Sequence, residues 1–184
     1  MSKLWLTSDL HLGHRNIHRY RDEFATAEEH HNIIWENLAT TVGKRDTVYF
    51  LGDVAFDKEW LERISNLKVK HKVLICGNHD LEHGITMRDV VNAYDGVFAL
   101  LSKRNFWFSH APIHPQEIRG RRANIHGHLH GNMVWTRQNA TPHMNAEGKM
   151  VEYYDEIDQR YLNVCVEHTD WKPITFEDAT QFTK

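Results

Sequence analysis

TVYFLGD, residues 47–53, decides the fold: it is a short apolar run that ends in a glycine and an acidic residue. The same pattern occurs earlier, where LWLT (residues 4–7) leads to Asp9, and later, where KVLICG (residues 72–77) leads to Asn78. Short runs of apolar residues are typical of strands that are buried on both faces. We therefore predict three neighbouring strands, each followed by a polar residue at its carboxyl end.

Helical patterns lie between these predicted strands. Thr26 and Glu29 form a capping-box pattern before apolar residues at helical spacing, and Thr86 with Asp89 marks another helix start. Residues 58–67 also place their apolar side chains on one helical face. The second half of the chain consists mostly of short strands, and we predict that one of them, ANIHGHLH, is extended from residue 123 to residue 130. The alternation predicts an α/β sandwich with parallel strands early and hairpins late.

Length and composition indicate an ordinary globular protein. The chain has 184 residues, a formal net charge of −3 and two cysteines that form no CxxC pair. Neither a linker nor a repeat divides it, so we expect one domain over residues 1–184. It contains no apolar run near the roughly 20 residues of a membrane helix, and we expect a cytoplasmic protein that binds no membrane.

Seven residues are of metal-ligand type: Asp9, His11, Asp53, Asn78, His110, His128 and His130. Ligands of α/β sheets bind at the carboxyl edge, where we expect the residues that follow the three early strands, Asp9 with His11, Asp53, and Asn78 with His79, to converge. A spacing of two would put Asp9 with His11, and His128 with His130, on one side of an extended backbone. A donor set of carboxylate, imidazole and amide, without thiolate, suits Mn²⁺, Fe²⁺, Zn²⁺, Ni²⁺ or Co²⁺. Asp53 stands alone after its strand, and its carboxylate is the natural bridge between two cations.

The ordered motifs D-x-H, G-D, G-N-H-D, H and G-H-x-H resemble those of the calcineurin-like metallophosphoesterase superfamily. The first and last parts of the chain resemble its small bacterial and phage members. The resemblance implies a four-layer αββα sandwich and two divalent metal ions, with Mn²⁺ preferred. It assigns Asp9, His11 and His130 to one ion and Asn78, His110 and His128 to the other, with Asp53 bridging them and His79 as the general acid.

These residues predict hydrolysis of a phosphodiester or phosphomonoester through a metal-bridging hydroxide. Two divalent cations and two aspartates leave a positive pocket that suits a phosphoryl group, and metal-bound water can ionise near neutral pH. His79 could then protonate the leaving oxygen. The motifs do not determine which carboxylate pairs with His79, because GDVAF has Phe56 where larger Ser/Thr phosphatases of the superfamily have an aspartate. Asp57 and Asp80 are the candidates.

Some expectations concern neighbouring residues and other functions. Arg15 and Asn16 could contact the substrate phosphate or belong to a solvated helix start, while Asp80 and His126 could support the ligands through hydrogen bonds. A small phosphoester or nucleotide is the expected substrate. One alternative is a nuclease acting on DNA or RNA, which the negative net charge does not favour, and another is a non-hydrolytic protein-binding scaffold. The sequence predicts neither the oligomeric state nor the role of residues 131–158.

Overall fold

The computed structural model describes residues 2–136, 143–144, 146–151 and 156–181. Residues 1, 137–142, 145, 152–155 and 182–184, which fall within the predicted domain and partly within segment 131–158, lie outside the described residues. In chain order the strands are β1 (Leu4–Thr7), β2 (Thr47–Phe50), β3 (His71–Ile75), β4 (Gly96–Phe98), β5 (Leu100–Lys103), β6 (Phe106–Ser109), β7 (Ala123–His126), β8 (Trp135–Thr136), β9 (His143–Met144), β10 (Met150–Val151), β11 (Glu156–Ile157), β12 (Tyr161–Asn163) and β13 (Ile174–Thr175). The helices are α1 (Ala27–Thr41), α2 (Lys58–Ser65), α3 (Met87–Ala93) and α4 (Phe176–Thr180), with short 3₁₀ turns at Ile17–Arg19, Pro115–Glu117 and Val166–His168.

The first sheet has the strand order β13-β1-β2-β3-β4. Strands β1 to β4 are parallel, and β13 pairs with β1 in the antiparallel direction. The parallel register places Thr7 beside Phe50, and Phe50 beside Leu74. Because the parallel strands end at the same edge, the loops that follow β1, β2 and β3 lie side by side.

Helices cover one face of this sheet, as their sequence patterns predict. Thr26 caps α1 by accepting a hydrogen bond from the Glu29 backbone N–H, and Thr86 and Asp89 form a complete capping box at α3. Asp57 caps α2 through the backbone N–H of Trp60. Apolar side chains of the three helices pack with those of β2 and β3 in one buried core. No helix in the described part of the chain is long and apolar enough to cross a membrane.

The second sheet has the strand order β12-β7-β6-β5 and packs against the other face of the first sheet. Leu6, Tyr49 and Ile75 from the first sheet share a core with Phe108 and Ile125 from the second. These side chains are almost completely buried. The predicted α/β sandwich, with parallel strands flanked by helices, is thus confirmed. The prediction of hairpins in the second half was wrong for β6, β7 and β12, which pair in parallel, whereas β5 and β6 form a hairpin.

The prediction of an extended strand over residues 123–130 was wrong in its second half. Strand β7 ends at His126, and both His128 (φ 68°) and His130 (φ 50°) adopt left-handed backbone conformations in the loop that follows. The alternating pattern failed here because a turn that changes the chain direction can carry the same spacing of polar residues as a strand.

Candidate metal centre

The loops after the strands bring the predicted ligands together in an unusual backbone conformation. Five of the seven predicted ligands have positive φ angles, between 48° and 68°: Asp9, His11, Asp53, His128 and His130. The prediction that pairs such as Asp9 and His11 share one side of an extended strand was therefore wrong. Left-handed conformations of non-glycine residues are costly and concentrate at functional sites. Five of the eleven described non-glycine residues with positive φ are candidate ligands.

One group of potential ligands consists of Asp9, His11 and His130. Asp9 Oδ1 lies 3.7 Å from His11 Nε2 and 3.8 Å from His130 Nε2. The other carboxylate oxygen, Oδ2, is occupied by the Ser8 hydroxyl at 2.5 Å, the His128 backbone N–H at 2.8 Å and the Cys165 thiol at 3.1 Å. Asp9 Oδ1 and His11 Nε2 are buried without a hydrogen-bond partner among the described residues. Two buried atoms with lone pairs therefore face a common point.

A second group consists of Asp53, His110 and His128. His110 Nδ1 lies 2.7 Å from the Leu51 carbonyl oxygen, to which it must donate, so the lone pair of a neutral ring is on Nε2. Nε2 lies 3.1 Å from His128 Nδ1, 3.0 Å from Asn78 Oδ1 and 3.4 Å from Asp53 Oδ2. Acceptor atoms converge here, and either a proton or a cation must lie between them.

Asp53 lies between the two groups. Its Oδ2 is 3.4 Å from His110 Nε2 and 4.0 Å from His11 Nε2, so one carboxylate oxygen faces a histidine of each group. Burial would raise the pKa of Asp53, but its contact with His110 outweighs burial and lowers the pKa. The same competition lowers the pKa of Asp9, chiefly through its contact with His11. Both carboxylates are therefore charged at neutral pH.

Charge in the pocket also controls the histidines. Burial lowers the pKa of His11, which keeps its ring neutral and able to bind a cation. Burial alone would lower the pKa of His110 too, but Asp53 and Asp9 raise it to about 9. In the metal-free protein a proton on His110 thus supplies the positive charge that the converging acceptors require.

The donor groups fit divalent cations. Ligand atoms about 2.1 Å from a shared ion lie at most about 4.2 Å from one another. The distances from Asp9 to His11 and His130, and from His110 to Asp53 and His128, are 3.1 to 3.8 Å and satisfy this limit. Imidazole, carboxylate and amide donors suit first-row divalent metals. Asp9 Oδ1 and His11 Nε2 lack any other partner among the described residues, and a cation would satisfy both.

Comparison with known proteins agrees with this geometry. A family model described as calcineurin-like phosphoesterase matches residues 2–178. The chain belongs to the calcineurin-like phosphoesterase family. The Gene 66 protein of Mycobacterium phage L5 is 31% identical to this phosphoesterase-family chain, over 74% of the chain and 82% of the phage protein. An uncharacterized protein of Methanocaldococcus jannaschii is 29% identical, over 96% of the chain and 89% of that protein.

The fold of this calcineurin-like chain also resembles a solved structure. A protein of unknown function from Aquifex aeolicus superposes with a TM-score of 0.66 at 23% identity, covering 98% of this chain and 99% of that one. At this identity the likeness supports the fold alone. The family assignment and the two ligand groups together indicate a site for divalent metals.

Close backbone approach at two glycines holds the loops of the candidate metal centre together. A Cβ atom on Gly127 would collide with Ser8 Oγ and Asp9 Oδ2, and one on Gly77 would collide with the Asp53 side chain. Only glycine allows the backbone to pass so near these carboxylates. The glycines in the G-H-x-H and G-N-H-D motifs therefore have a direct packing role.

His79 has a carboxylate partner that the sequence did not indicate. His79 Nδ1 lies 2.8 Å from Glu82 Oε2, and the His79 backbone N–H donates to Asp53 Oδ1 at 2.9 Å. The two carboxylates considered from the sequence are engaged elsewhere. Asp57 caps α2, and Asp80 accepts backbone N–H groups of Asp53, Val54 and Gly77 at 2.7–3.1 Å. Asp80 thus joins the loops after β2 and β3.

The other predicted residues lie around the centre. Arg15 and Asn16 line a cavity of about 440 Å³ that also includes His14 and Phe56. The Phe56 ring contacts His11 and His79, so this cavity adjoins the candidate site. His126 Nδ1 donates to the Gly127 backbone carbonyl at 2.7 Å. This described hydrogen bond of His126 therefore supports the backbone of the ligand loop rather than a ligand side chain.

Two buried, charged residues beside the group of Asp9, His11 and His130 were not predicted from the sequence. The Arg21 side chain is 3% exposed and Glu167 is 15% exposed, and they form an ion pair of 2.7 Å. Glu167 Oε1 also lies 2.8 Å from His130 Nδ1. Neither residue belongs to one of the five ordered motifs, and no spacing in the sequence relates positions 21 and 167.

Proposed function

We propose that the protein hydrolyses phosphoesters with two divalent cations, preferably Mn²⁺, in this centre. The proposed ligands are Asp9, His11 and His130 for one ion and Asn78, His110 and His128 for the other, with Asp53 shared between them. The observation that carries the proposal is the convergence of lone-pair atoms in two adjacent groups, including buried atoms with no other described partner. A solely structural histidine cluster would satisfy these atoms with hydrogen bonds.

The proposed roles of the side chains follow from their contacts. When bound, the two cations would activate a water molecule and offset the charge of the phosphoryl oxygens. His79 donates a proton to the leaving oxygen. Because Glu82 accepts the hydrogen bond from Nδ1 of His79, the second ring nitrogen, Nε2, is the one that holds and transfers that proton. Asn78 is a neutral donor and leaves the positive charge of the pocket undiminished.

A cavity of about 730 Å³ beside the centre supports a small organic phosphoester or nucleotide as the substrate. It is lined by His11, His79 and His130 on the side of the centre, and by Ile17 and Tyr20 farther out. The Tyr20 side chain is exposed, and an exposed aromatic ring can stack on a flat organic group.

Charge along this cavity does not favour a long nucleic acid. Its outer lining includes Asp22 and Glu23, whereas the one guanidinium among its described lining residues, that of Arg21, is buried in an ion pair. Binding of a nucleic-acid backbone needs exposed cationic side chains along the groove. We therefore propose a phosphodiester or phosphomonoester with a small organic group, with a nuclease activity as the alternative that the test below distinguishes.

Turnover of model substrates tests the proposal. The metal-stripped protein is supplied with Mn²⁺, Fe²⁺, Zn²⁺, Ni²⁺ or Co²⁺ and assayed with bis-p-nitrophenyl phosphate, p-nitrophenyl phosphate, nucleotides and oligonucleotides. We expect hydrolysis of a small ester that depends on added metal and is abolished by a chelator. Cleavage of oligonucleotides alone would favour the nuclease. A folded protein that hydrolyses none of these substrates with any metal would favour the non-hydrolytic scaffold.

A further inference from the structure

Arg21 and Glu167 form a buried link behind the first ligand group. Arg21 follows the 3₁₀ turn Ile17–Arg19, and Glu167 lies in the turn Val166–His168, after β12. Arg21 donates to Glu167 Oε1 through Nη2 at 2.7 Å and through Nε at 2.9 Å. The same Nη2 donates to the Asp9 backbone carbonyl at 2.7 Å. One guanidinium thus connects the loop that carries Asp9 with the turn that carries Glu167.

Hydrogen bonding by Glu167 determines which nitrogen of His130 carries its hydrogen. Glu167 Oε1 lies 2.8 Å from His130 Nδ1, and a carboxylate can only accept. Nδ1 therefore holds the hydrogen, and the lone pair of the neutral ring is on Nε2, which lies 3.8 Å from Asp9 Oδ1. Arg21 Nη2, at 3.4 Å from the same Nδ1, is also a donor and makes no hydrogen bond with it.

Arg21 is held in turn by a buried histidine. Its Nη1 lies 2.7 Å from His30 Nε2, which must accept because a guanidinium has no lone pair to offer. The hydrogen of the neutral His30 ring is then on Nδ1, 3.0 Å from His31 Nδ1. Burial and the charge of Arg21 lower the pKa of His30 to about 2, so this ring stays a neutral acceptor. Arg21 therefore has one defined position.

We propose that Glu167, held by Arg21, is a positioning residue that orients His130 and thereby sets the metal affinity of the Asp9, His11 and His130 group. This inference rests on the proposed function, since it requires a cation at that group. The positive charge of Arg21 offsets the negative charge of Glu167, so the pair orients the imidazole without adding net charge to the pocket. Carboxylates that accept from a ligating histidine typically contribute 10- to 100-fold in metal affinity.

The effect is specific to one of the two ions. The second group, Asp53, His110 and His128, makes none of its described contacts with Glu167 or Arg21. Its histidine His110 is oriented instead by the Leu51 carbonyl. Removal of the Glu167 carboxylate should therefore lower the affinity for one Mn²⁺ ion and leave the affinity for the other nearly unchanged.

Titration of the metal-free protein with Mn²⁺ by calorimetry and by electron paramagnetic resonance tests the inference. For Glu167→Ala we expect one affinity to fall about 10- to 100-fold and the other to change little. Glu167→Gln retains an oxygen that can accept from His130 Nδ1 and should restore part of the loss. It also retains the side-chain volume, should the alanine variant fail to fold. The control is Glu177→Ala, since Glu177 also pairs with an arginine, Arg104 at 3.1 Å, but on the exposed surface.

The outcomes separate this inference from the proposed function. Two bound ions in the wild type, with neither affinity altered in the Glu167 variants, would refute the positioning role and leave the metal centre intact. Equal loss at both ions would assign Glu167 a general structural role and would also refute the inference. A wild-type protein that binds no Mn²⁺ would refute the proposed function itself.

Discussion

Asp53→Asn is the substitution that most directly examines the shared position between the two ligand groups. Asparagine has nearly the same shape, and its Oδ1 can still accept the hydrogen bond that the His79 backbone N–H gives to Asp53 at 2.9 Å. The change therefore preserves the local structure while removing one negative charge. That charge lies 3.4 Å from His110 Nε2 and 4.0 Å from His11 Nε2, so it acts on both groups.

Removal of a unit charge beside a bound cation sets the scale of the expected loss. Two unit charges about 4 Å apart interact by about 4 kcal/mol at an effective dielectric constant near 20. At about 1.4 kcal/mol for each factor of ten, this corresponds to a roughly 10³-fold loss of affinity. Because Asp53 faces a histidine of each group, we expect a loss of about this size for both ions.

Mn²⁺ titration calorimetry, combined with turnover of bis-p-nitrophenyl phosphate, measures the effect. Asp95→Asn is the matched control, because Asp95 is exposed and accepts a backbone N–H, that of Lys72, at 2.7 Å. We expect the control to bind two ions as the wild type does. If Asp53→Asn lowered the affinity for only one ion, or for neither, the shared position of Asp53 would be refuted.

Further predictions concern the proton donor, its partner and the pH dependence. His79→Ala should bind Mn²⁺ normally and lose about 10²-fold in kcat for alkyl esters but much less for p-nitrophenyl esters; equal losses would exclude proton donation. Glu82→Gln should reduce kcat for alkyl esters in the same selective way, whereas Asp57→Ala should instead lower thermal stability by removing the cap of α2. The raised pKa of His110, about 9, means that this ring is protonated at neutral pH in the metal-free protein and must lose its proton to bind a cation. Mn²⁺ binding should release protons and tighten as the pH rises towards 9, and binding heats that are the same in buffers of different ionisation enthalpy would contradict this.

Much of the fold could be predicted because local signals and tertiary packing agree. The apolar runs before Asp9, Asp53 and Asn78 form β1, β2 and β3, as predicted. Thr26 and Thr86 cap the helices α1 and α3, also as predicted. Convergence of Asp9, Asp53 and Asn78 at one sheet edge follows from parallel pairing, which short apolar strands separated by helices favour. His110, His128 and His130 reach the same centre from the loops after β6 and β7 of the second sheet. The assignment of individual metal ligands and the single domain over residues 1–184 stay predictions.

The parts that could not be predicted depend on contacts between distant positions or on backbone conformation. Residues 128–130 alternate as a strand would, yet His128 and His130 are left-handed. Glu82 pairs with His79 across three residues of a loop, and no motif marks this contact, whereas the family pattern favoured Asp57 and the G-N-H-D motif favoured Asp80. Arg21 and Glu167 are 146 positions apart, and no periodicity relates them.

Crystals grown with excess Mn²⁺ and measured for anomalous scattering test the central claim most directly. We expect two peaks about 3.5–4 Å apart, one contacting Asp9, His11 and His130 and the other contacting Asn78, His110 and His128, with Asp53 touching both. A single peak, or manganese bound elsewhere on the protein, would contradict the dinuclear centre and the hydrolysis derived from it.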